Sequence, residues 1–142
     1  MRVLGVDLGQ RRVGLAISDR SRTLARPLAT IAVASAAEAV ERVAQTIARL
    51  SAEEDGLATV VVGVPSRLDG SPTEQTPKVA AFIEALRQKT AGVTIATEDE
   101  RLTSREAESR LAVRERDWRR RKQKLDAAAA AIILQDYLDR ER

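Results

Sequence analysis

Val3-Leu4-Gly5-Val6-Asp7-Leu8-Gly9 is an apolar stretch near the start of the chain, with one carboxylate in its middle. A strand this apolar is normally covered on both faces, and an isolated ionised carboxylate there is unfavourable. Asp7 therefore needs a compensating partner. Gly5 and Gly9 leave space in which a bulky ligand could approach the backbone. A divalent cation would stabilise the charge, whereas a buried Arg or turn amides would give Asp7 a purely structural role.

The periodicity of the rest of the chain predicts an α/β fold built on a mixed sheet. The first two strands form a predicted hairpin, and Pro27 places the third strand near an edge. The later strands alternate with four predicted helices. The first begins at Ser35, the second carries an apolar stripe from Val79 to Leu86, the third begins at Thr103 and the last spans 125–138. The five predicted strands are residues 2–8, 12–18, 24–31, 58–63 and 93–97.

The composition restricts the possible chemistry. The chain has 142 residues, which we interpret as a single domain spanning 1–142. It contains neither Cys nor His, which excludes disulfides, thiolate or imidazole metal sites and a Ser-His-Asp triad. Coordination by carboxylates alone favours Mg²⁺ or Mn²⁺ over zinc. There is no signal-peptide pattern and no apolar run of roughly 20 residues, so we expect a cytoplasmic protein without membrane contact.

An acidic cluster, Glu98-Asp99-Glu100, follows the last predicted strand. The carboxyl ends of strands are where open α/β sheets bind ligands. Alternation sends Glu98 and Glu100 to one face and Asp99 to the other, so we do not expect all three to serve one site. The structural alternative is a solvated strand exit whose acids pair with Arg101 and Arg105.

Asp126 is a third candidate carboxylate, and it stands directly before five alanines and a run of branched aliphatic residues. A helix that is apolar nearly all round is buried. Its small side chains would let it lie close against a sheet and hold Asp126 at a fixed depth. The alternative is that Asp126 is an ordinary N-cap or macrodipole partner in the first turn of that helix.

Residues 114–124 form a strongly basic segment, with seven basic and two acidic side chains. The segment carries +5 while the whole chain carries +3, so the remaining residues carry −2. Basic side chains beside one aromatic residue, Trp118, suit phosphate contacts and base stacking. We interpret 114–124 as a mobile basic loop that binds a polyanion next to Asp126; a merely solvated loop is the alternative.

Together these features fit a nucleic-acid phosphodiesterase. Three carboxylates, from the first strand, a later strand end and the last helix, can hold two divalent cations about 4 Å apart. One cation would lower the pKa of the attacking water, and the other would stabilise the leaving 3′ oxygen. Arg12 and the basic segment would hold the substrate backbone.

Four blocks of sequence, in this order over nearly the whole chain, form a pattern that one family shares. The blocks are Gly5-Val6-Asp7-Leu8-Gly9 with Arg12, Gly14, Ala16, Ser18 and Asp19; Val62-Gly63-Val64-Pro65 with Leu68-Asp69-Gly70-Ser71; Asp99-Glu100-Arg101-Leu102-Thr103; and Leu125-Asp126 with the alanines and Ile133-Leu134-Gln135. They resemble the YqgF family, also called RuvX, of the RNase H-like superfamily. Val64 and Ser66-Arg67 depart from the family's usual Leu and Leu-Asn, in a loop that would face the substrate.

The resemblance implies an RNase H-like fold, with strands 1–3 antiparallel and strands 4 and 5 parallel. It also implies Mg²⁺ or Mn²⁺ at a catalytic, metal-binding triad of Asp7, Glu100 and Asp126, with Asp99 as a further candidate ligand. The implied substrate is structured nucleic acid, either a branched DNA junction or the 5′ end of pre-16S ribosomal RNA. The residues predicted to bind nucleic acid are Arg12, Arg101, Arg119, Arg120, Arg121, Lys122 and Lys124.

The oligomeric state and two other functional classes stay open. A junction resolvase would be a two-fold homodimer, so that its two cuts are symmetric, whereas an RNA-trimming enzyme could be a monomer. A non-catalytic RNA-binding factor in ribosome assembly would use the same basic segment and tolerate loss of Asp7. An actin-like ATPase can have a similar first strand, but it needs two domains, and no Gly-x-x-x-x-Gly-Lys-Ser/Thr loop is present.

Overall fold

The computed structural model describes residues 1–65, 69–99 and 118–141, with residues 118–125 described by their backbone only. The predicted helix beginning at Thr103 lies outside these ranges. The described elements, in chain order, are β1 (Arg2–Leu8), β2 (Arg12–Ser18), β3 (Ala25–Ala32), α1 (Ala36–Ala52), β4 (Leu57–Val64), α2 (Thr76–Lys89), β5 (Thr94–Asp99) and α3 (Trp118–Arg140).

The five strands form one mixed sheet in the order β3-β2-β1-β4-β5. The β1–β2 and β2–β3 pairs are antiparallel, and the β1–β4 and β4–β5 pairs are parallel. This confirms the predicted RNase H-like arrangement. It also confirms that β3, which contains Pro27, lies at an edge of the sheet.

The turn between β1 and β2 is closed by Gly9. Its amide donates a hydrogen bond to the carbonyl of Arg12 at 2.8 Å, and a Cβ on Gly9 would lie only 2.7 Å from that same oxygen. The space that a side chain of Gly9 would occupy is therefore taken by the Arg12 backbone and not by a ligand. The glycine is required because the turn brings two backbone segments into contact.

One face of the sheet packs against α1 and α2. Ser35 caps α1 as predicted, since its hydroxyl accepts a hydrogen bond from the Glu38 amide at 3.1 Å. The apolar stripes of both helices are buried against the strands, which explains why short amphipathic segments are helical here. The buried residues are Ala39, Val40, Val43, Ile47 and Leu50 in α1, and Val79, Phe82, Ile83 and Leu86 in α2.

The opposite face packs against α3, which begins earlier than the sequence prediction. The prediction placed 114–124 in a mobile loop and began the helix at Leu125, but residues 118–124 form its first turns. Arg, Lys and Gln are good helix formers, and the segment has no Gly or Pro, so its high charge is compatible with a helix. Residues 114–117 lie outside the description. Among the described helices, none has both the length and the apolar character needed to cross a bilayer.

Gln135 fastens α3 to the edge strand. Its side-chain oxygen accepts a hydrogen bond from the Ala25 amide at 2.9 Å, and its side-chain nitrogen donates to the Thr23 carbonyl at 2.9 Å. The amide group thus continues the hydrogen bonding of β3 into the helix. Since helix α3 also carries Asp126, this contact helps to fix where that carboxylate lies.

We expect Gln135→Ala to lower the free energy of unfolding by about 1–3 kcal/mol, because the half-buried Ala25 amide and Thr23 carbonyl both lose the hydrogen bond to this side chain. Urea denaturation measures the change. Gln45→Ala is the matched control: Gln45 is exposed on α1, and its loss should stay within about 0.5 kcal/mol. Equal losses in the two variants would contradict the role assigned to Gln135.

Candidate active site

Asp7 lies at the carboxyl end of β1 and is half-buried. Alternation along the strand places it on the same face as Gly5. A Cβ on Gly5 would lie 2.9 Å from the Leu134 Cβ and 3.0 Å from the Ala130 carbonyl, so this is the face that α3 covers. The space predicted at Gly5 for a ligand is therefore taken by α3, and that prediction is wrong.

Gly14 brings Asp126 to the same place. It is the partner of Asp7 in the β1–β2 register, so the two residues share a face of the sheet. A Cβ on Gly14 would lie 2.1 Å from the carbonyl oxygen of Asp126. The absence of a side chain at this one position thus lets α3 lie directly on the cross-strand neighbour of Asp7. Gly14 is not among the predicted site residues, although a glycine inside a strand is a known signal of close backbone approach.

Asp126 is not a helix cap. Helix α3 begins at Trp118, so Asp126 stands about two turns inside it, and the alternative of an N-cap or macrodipole partner in the first turn is wrong. Its side chain is 28% exposed, and the alanines after it are largely buried. Ala130 packs with Ala16 and Val61 of the sheet, so the small side chains let the helix lie close to it, as the sequence predicts. The buried ones are Ala127, Ala129 and Ala130.

Arg12 lies beside this pair of carboxylates. It is the first residue of β2, on the same face as Gly14. Its Nη1 atom is 3.9 Å from Oδ2 of Asp126. That nitrogen is buried and has no hydrogen-bond partner among the described residues. The guanidinium group therefore offsets the carboxylate charge, while no described residue accepts a hydrogen bond from its Nη1.

The two acids at the end of β5 have different surroundings. Glu98 is 5% exposed and pairs with Arg140 at the end of α3, whereas Asp99 is exposed and lies level with Val64 of β4. The predicted alternation of these two side chains is confirmed. Arg140 is a partner that the sequence does not predict for Glu98. Glu100, Arg101 and Arg105 lie outside the described residues, so the predicted pairing with the two arginines stays a prediction.

The donor set suits a hard cation. Two carboxylates from distant parts of the chain supply the oxygen ligands that Mg²⁺ and Mn²⁺ prefer, and the residues that the structure describes include no thiolate or imidazole competitor. Those same residues contain no group of three or more acidic, His or Cys side chains that could hold a metal ion. Of the predicted triad, the structure describes Asp7 and Asp126, whereas Glu100 lies outside the described residues.

Asp19, another acid of the first block, has a structural role at the far end of the hairpin. Its carboxylate accepts hydrogen bonds from the amides of Thr23 at 2.7 Å and Leu24 at 3.2 Å, and from the Ser21 hydroxyl at 2.8 Å. These bonds favour the ionised form and hold the pKa of Asp19 below its ordinary value. Asp19 thus shapes the β2–β3 connection and is not part of the candidate site.

The sequence matches a known family along its length. Residues 1–140 match the family model described as "RuvX: Holliday junction resolvase". The chain belongs to the RuvX family. One RuvX relative, from Caldanaerobacter subterraneus subsp. tengcongensis, is 40% identical over 144 residues, covering 100% of this chain and 99% of the relative. Another, from Chloroflexus aggregans, is 41% identical over 140 residues, covering 99% and 94%. Both carry the name "Putative pre-16S rRNA nuclease".

Solved structures show the same fold. The RuvX chain is similar to T. thermophilus RuvC in complex with a Holliday junction substrate, with a TM-score of 0.57 at 19% identity, covering 99% of this chain and 95% of RuvC. A second T. thermophilus RuvC structure gives a TM-score of 0.55 at 19% identity, covering 99% and 96%. At this identity the likeness concerns the fold, which is RNase H-like.

Proposed function

We propose that this chain is a divalent-metal-dependent nuclease that hydrolyses phosphodiester bonds in structured nucleic acid. The observation that carries the proposal is the contact of the Asp126 backbone with Gly14, the cross-strand neighbour of Asp7. It brings two carboxylates from opposite ends of the chain to one edge of the sheet. The name of the curated relatives and the description of the family support a nuclease.

The cation would be held by Asp7 and Asp126, with Glu100 completing the catalytic triad and Asp99 as a further candidate ligand. When bound, Mg²⁺ or Mn²⁺ supplies a lower pKa for the attacking water and stabilises negative charge on the leaving oxygen. The clustering of carboxylates, which is otherwise repulsive, fits a site built for a cation.

Arg12 would bind the phosphate that is cut. Its buried Nη1 lacks a hydrogen-bond partner among the described residues, and leaving a charged donor unsatisfied is unfavourable. A phosphate oxygen would satisfy it, and guanidinium groups suit this contact because their donors form a planar fork. The same side chain would then orient the phosphate beside Asp126.

The basic residues at the start of α3 support a polyanionic substrate. Five of the first seven residues of α3 are Arg or Lys. A dense run of positive charge suits contacts with phosphates, and we propose that it binds the nucleic-acid backbone. Arg101 is proposed for the same role. The other proposed contacts are Arg119, Arg120, Arg121, Lys122 and Lys124.

Of the two substrates, we propose RNA first, at the 5′ end of pre-16S ribosomal RNA, because it is in the name of relatives that cover nearly the whole chain. A branched DNA junction is the second substrate to be tested, because the family is described as a Holliday junction resolvase. Symmetric cutting of a junction would require a two-fold homodimer, whereas end trimming would not. We propose the cytoplasm as the site of action.

The test is a cleavage assay on matched substrates. Purified protein is incubated with Mg²⁺ or Mn²⁺ and with linear DNA, four-way DNA, linear RNA, or RNA that carries the 5′ extension of 16S. We expect cleavage that stops when EDTA removes the cation, fastest on the extended RNA. Tight RNA binding without cleavage of any substrate would contradict a nuclease and would favour a non-catalytic assembly factor.

A further inference from the structure

A groove of about 750 Å³ opens on the face of the sheet opposite Asp7. One end is formed by Leu8 and Gly9, the residues that directly follow Asp7 in the chain. Its walls are the first turn of α1 and the exposed side of α2, and its floor includes Val40 and Phe82. The groove and the candidate active site therefore open at the same edge of the sheet, on either side of β1.

The side chains around the groove favour an anionic occupant with an apolar part. Arg11 and Lys78 are exposed and line it, and no acidic side chain does so among the residues described. The remaining polar lining consists of Gln10, Gln75 and Ser35, and the rest is mainly alanine and larger apolar residues. The volume lies within the roughly 300–1,000 Å³ of small-molecule sites.

We infer that this groove holds an unpaired nucleotide of the substrate, next to the bond that is cut. The inference rests on the proposed function and adds a substrate class to it: nucleic acid with a single-stranded segment at the cleavage point. The base would lie on the apolar floor, and the phosphate would lie between Arg11 and Lys78. A fully paired end cannot place a base there.

Contact with an unpaired base should give a measurable preference. A base stacked on an aromatic side chain changes binding by roughly tenfold, and Phe82 is the aromatic residue in the lining of the groove. Each lysine that contacts a phosphate also steepens the slope of log affinity against log salt concentration. The change is about 0.9 on duplex DNA and about 0.7 on a single strand. Both effects should appear on a substrate with an unpaired tail and be absent on a blunt one.

The experiment measures binding by fluorescence anisotropy in EDTA, so that nothing is cleaved. The probes are a fluorescein-labelled RNA hairpin with a short single-stranded tail and the same hairpin with a blunt end. We expect wild-type protein to bind the tailed hairpin about tenfold more tightly. Ala81→Glu, which places a carboxylate in the groove beside Lys78, should remove that preference because it repels the phosphate. Lys78→Gln should weaken tailed binding several-fold and lower its salt slope by about 0.7.

Lys89→Gln is the matched control. It is the same substitution at the other lysine of α2, which pairs with Glu41 away from the groove, and it should bind both hairpins as the wild type does. Equal wild-type affinity for the two hairpins, or a Lys78→Gln loss that is equal on both, would overturn the inference. Because these measurements need no cleavage, their failure is distinct from a failure of the nuclease proposal, which only the cation-dependent assay decides.

Discussion

Asp7→Asn is expected to lower the cleavage rate by about 10²- to 10⁴-fold. The substitution keeps the shape of the side chain but removes the charge that would hold a cation, and cation contributions of several kcal/mol convert to factors of this size. Single-turnover cleavage of the extended RNA in Mg²⁺ measures the rate. Binding of the same RNA, measured in EDTA, should change less than about threefold because Arg12 and the basic residues of α3 are retained.

Asp19→Asn is the control for this experiment. It is the same substitution on the same hairpin, at a carboxylate whose hydrogen bonds come from Thr23, Leu24 and Ser21 and which lies at the other end of β2. Asn can accept most of these bonds, so cleavage should stay close to that of the wild type. If Asp7→Asn cleaves as fast as Asp19→Asn, Asp7 is not a catalytic residue and the site assigned to it is wrong.

The hairpin and the amphipathic helices could be predicted from the sequence because their signals are local. Alternation over residues 2–8 and 12–18 fixes which side chains share a face, and the Ser35 cap needs only a residue three positions later. Predicting that the chain has an RNase H-like sheet needed the family pattern as well, since strand order depends on pairing between distant segments.

The roles of Gly5 and Glu98 could not be predicted in the same way. A glycine within a strand shows that something approaches closely, but its sequence does not say whether that is a ligand or a helix; at Gly5 it is α3. The partner of Glu98 is Arg140, 42 positions later. Such contacts depend on how α3 crosses the sheet, which no local pattern encodes.

At the start of α3 the local pattern itself predicts the wrong structure, because a highly charged segment can be either a loop or a helix. Its many charges suggested a loop, and Asp126 then looked like a cap. Once the helix begins at Trp118, the same Asp stands inside a helix that contacts the sheet, where a carboxylate has no capping task. The correction therefore strengthens the functional interpretation of Asp126.

Gly14→Ala should destabilise this fold more than the same substitution at Gly5, Gly9, Gly56 or Gly92, where an added Cβ would make less severe contacts. The added Cβ would lie 2.1 Å from the Asp126 carbonyl oxygen, which is a backbone atom and cannot move alone. Helix α3 would have to shift as a unit, so we expect the free energy of unfolding to fall by about 3 kcal/mol, at the upper end of the range for overpacking. Urea denaturation measures the loss, and cleavage measured at a temperature where the variant is folded should also fall.

Gly92→Ala is the control for this prediction. It separates the effect of a steric clash from the loss of folding free energy that replacing a glycine with a positive φ causes by itself. Gly92 has a φ of +81° with nothing within 4 Å of an added Cβ, so its substitution strains only the backbone, by about 1–2 kcal/mol. It should leave the cleavage rate unchanged, because the packing of α3 against the sheet is not altered. A Gly14→Ala variant no less stable than Gly92→Ala would show that α3 does not rest on β2 as described. Asp126 would then lack the contact that brings it to Asp7. On the arrangement described, the distance between α3 and the sheet at Gly14 determines both the free energy of unfolding and the rate of cleavage.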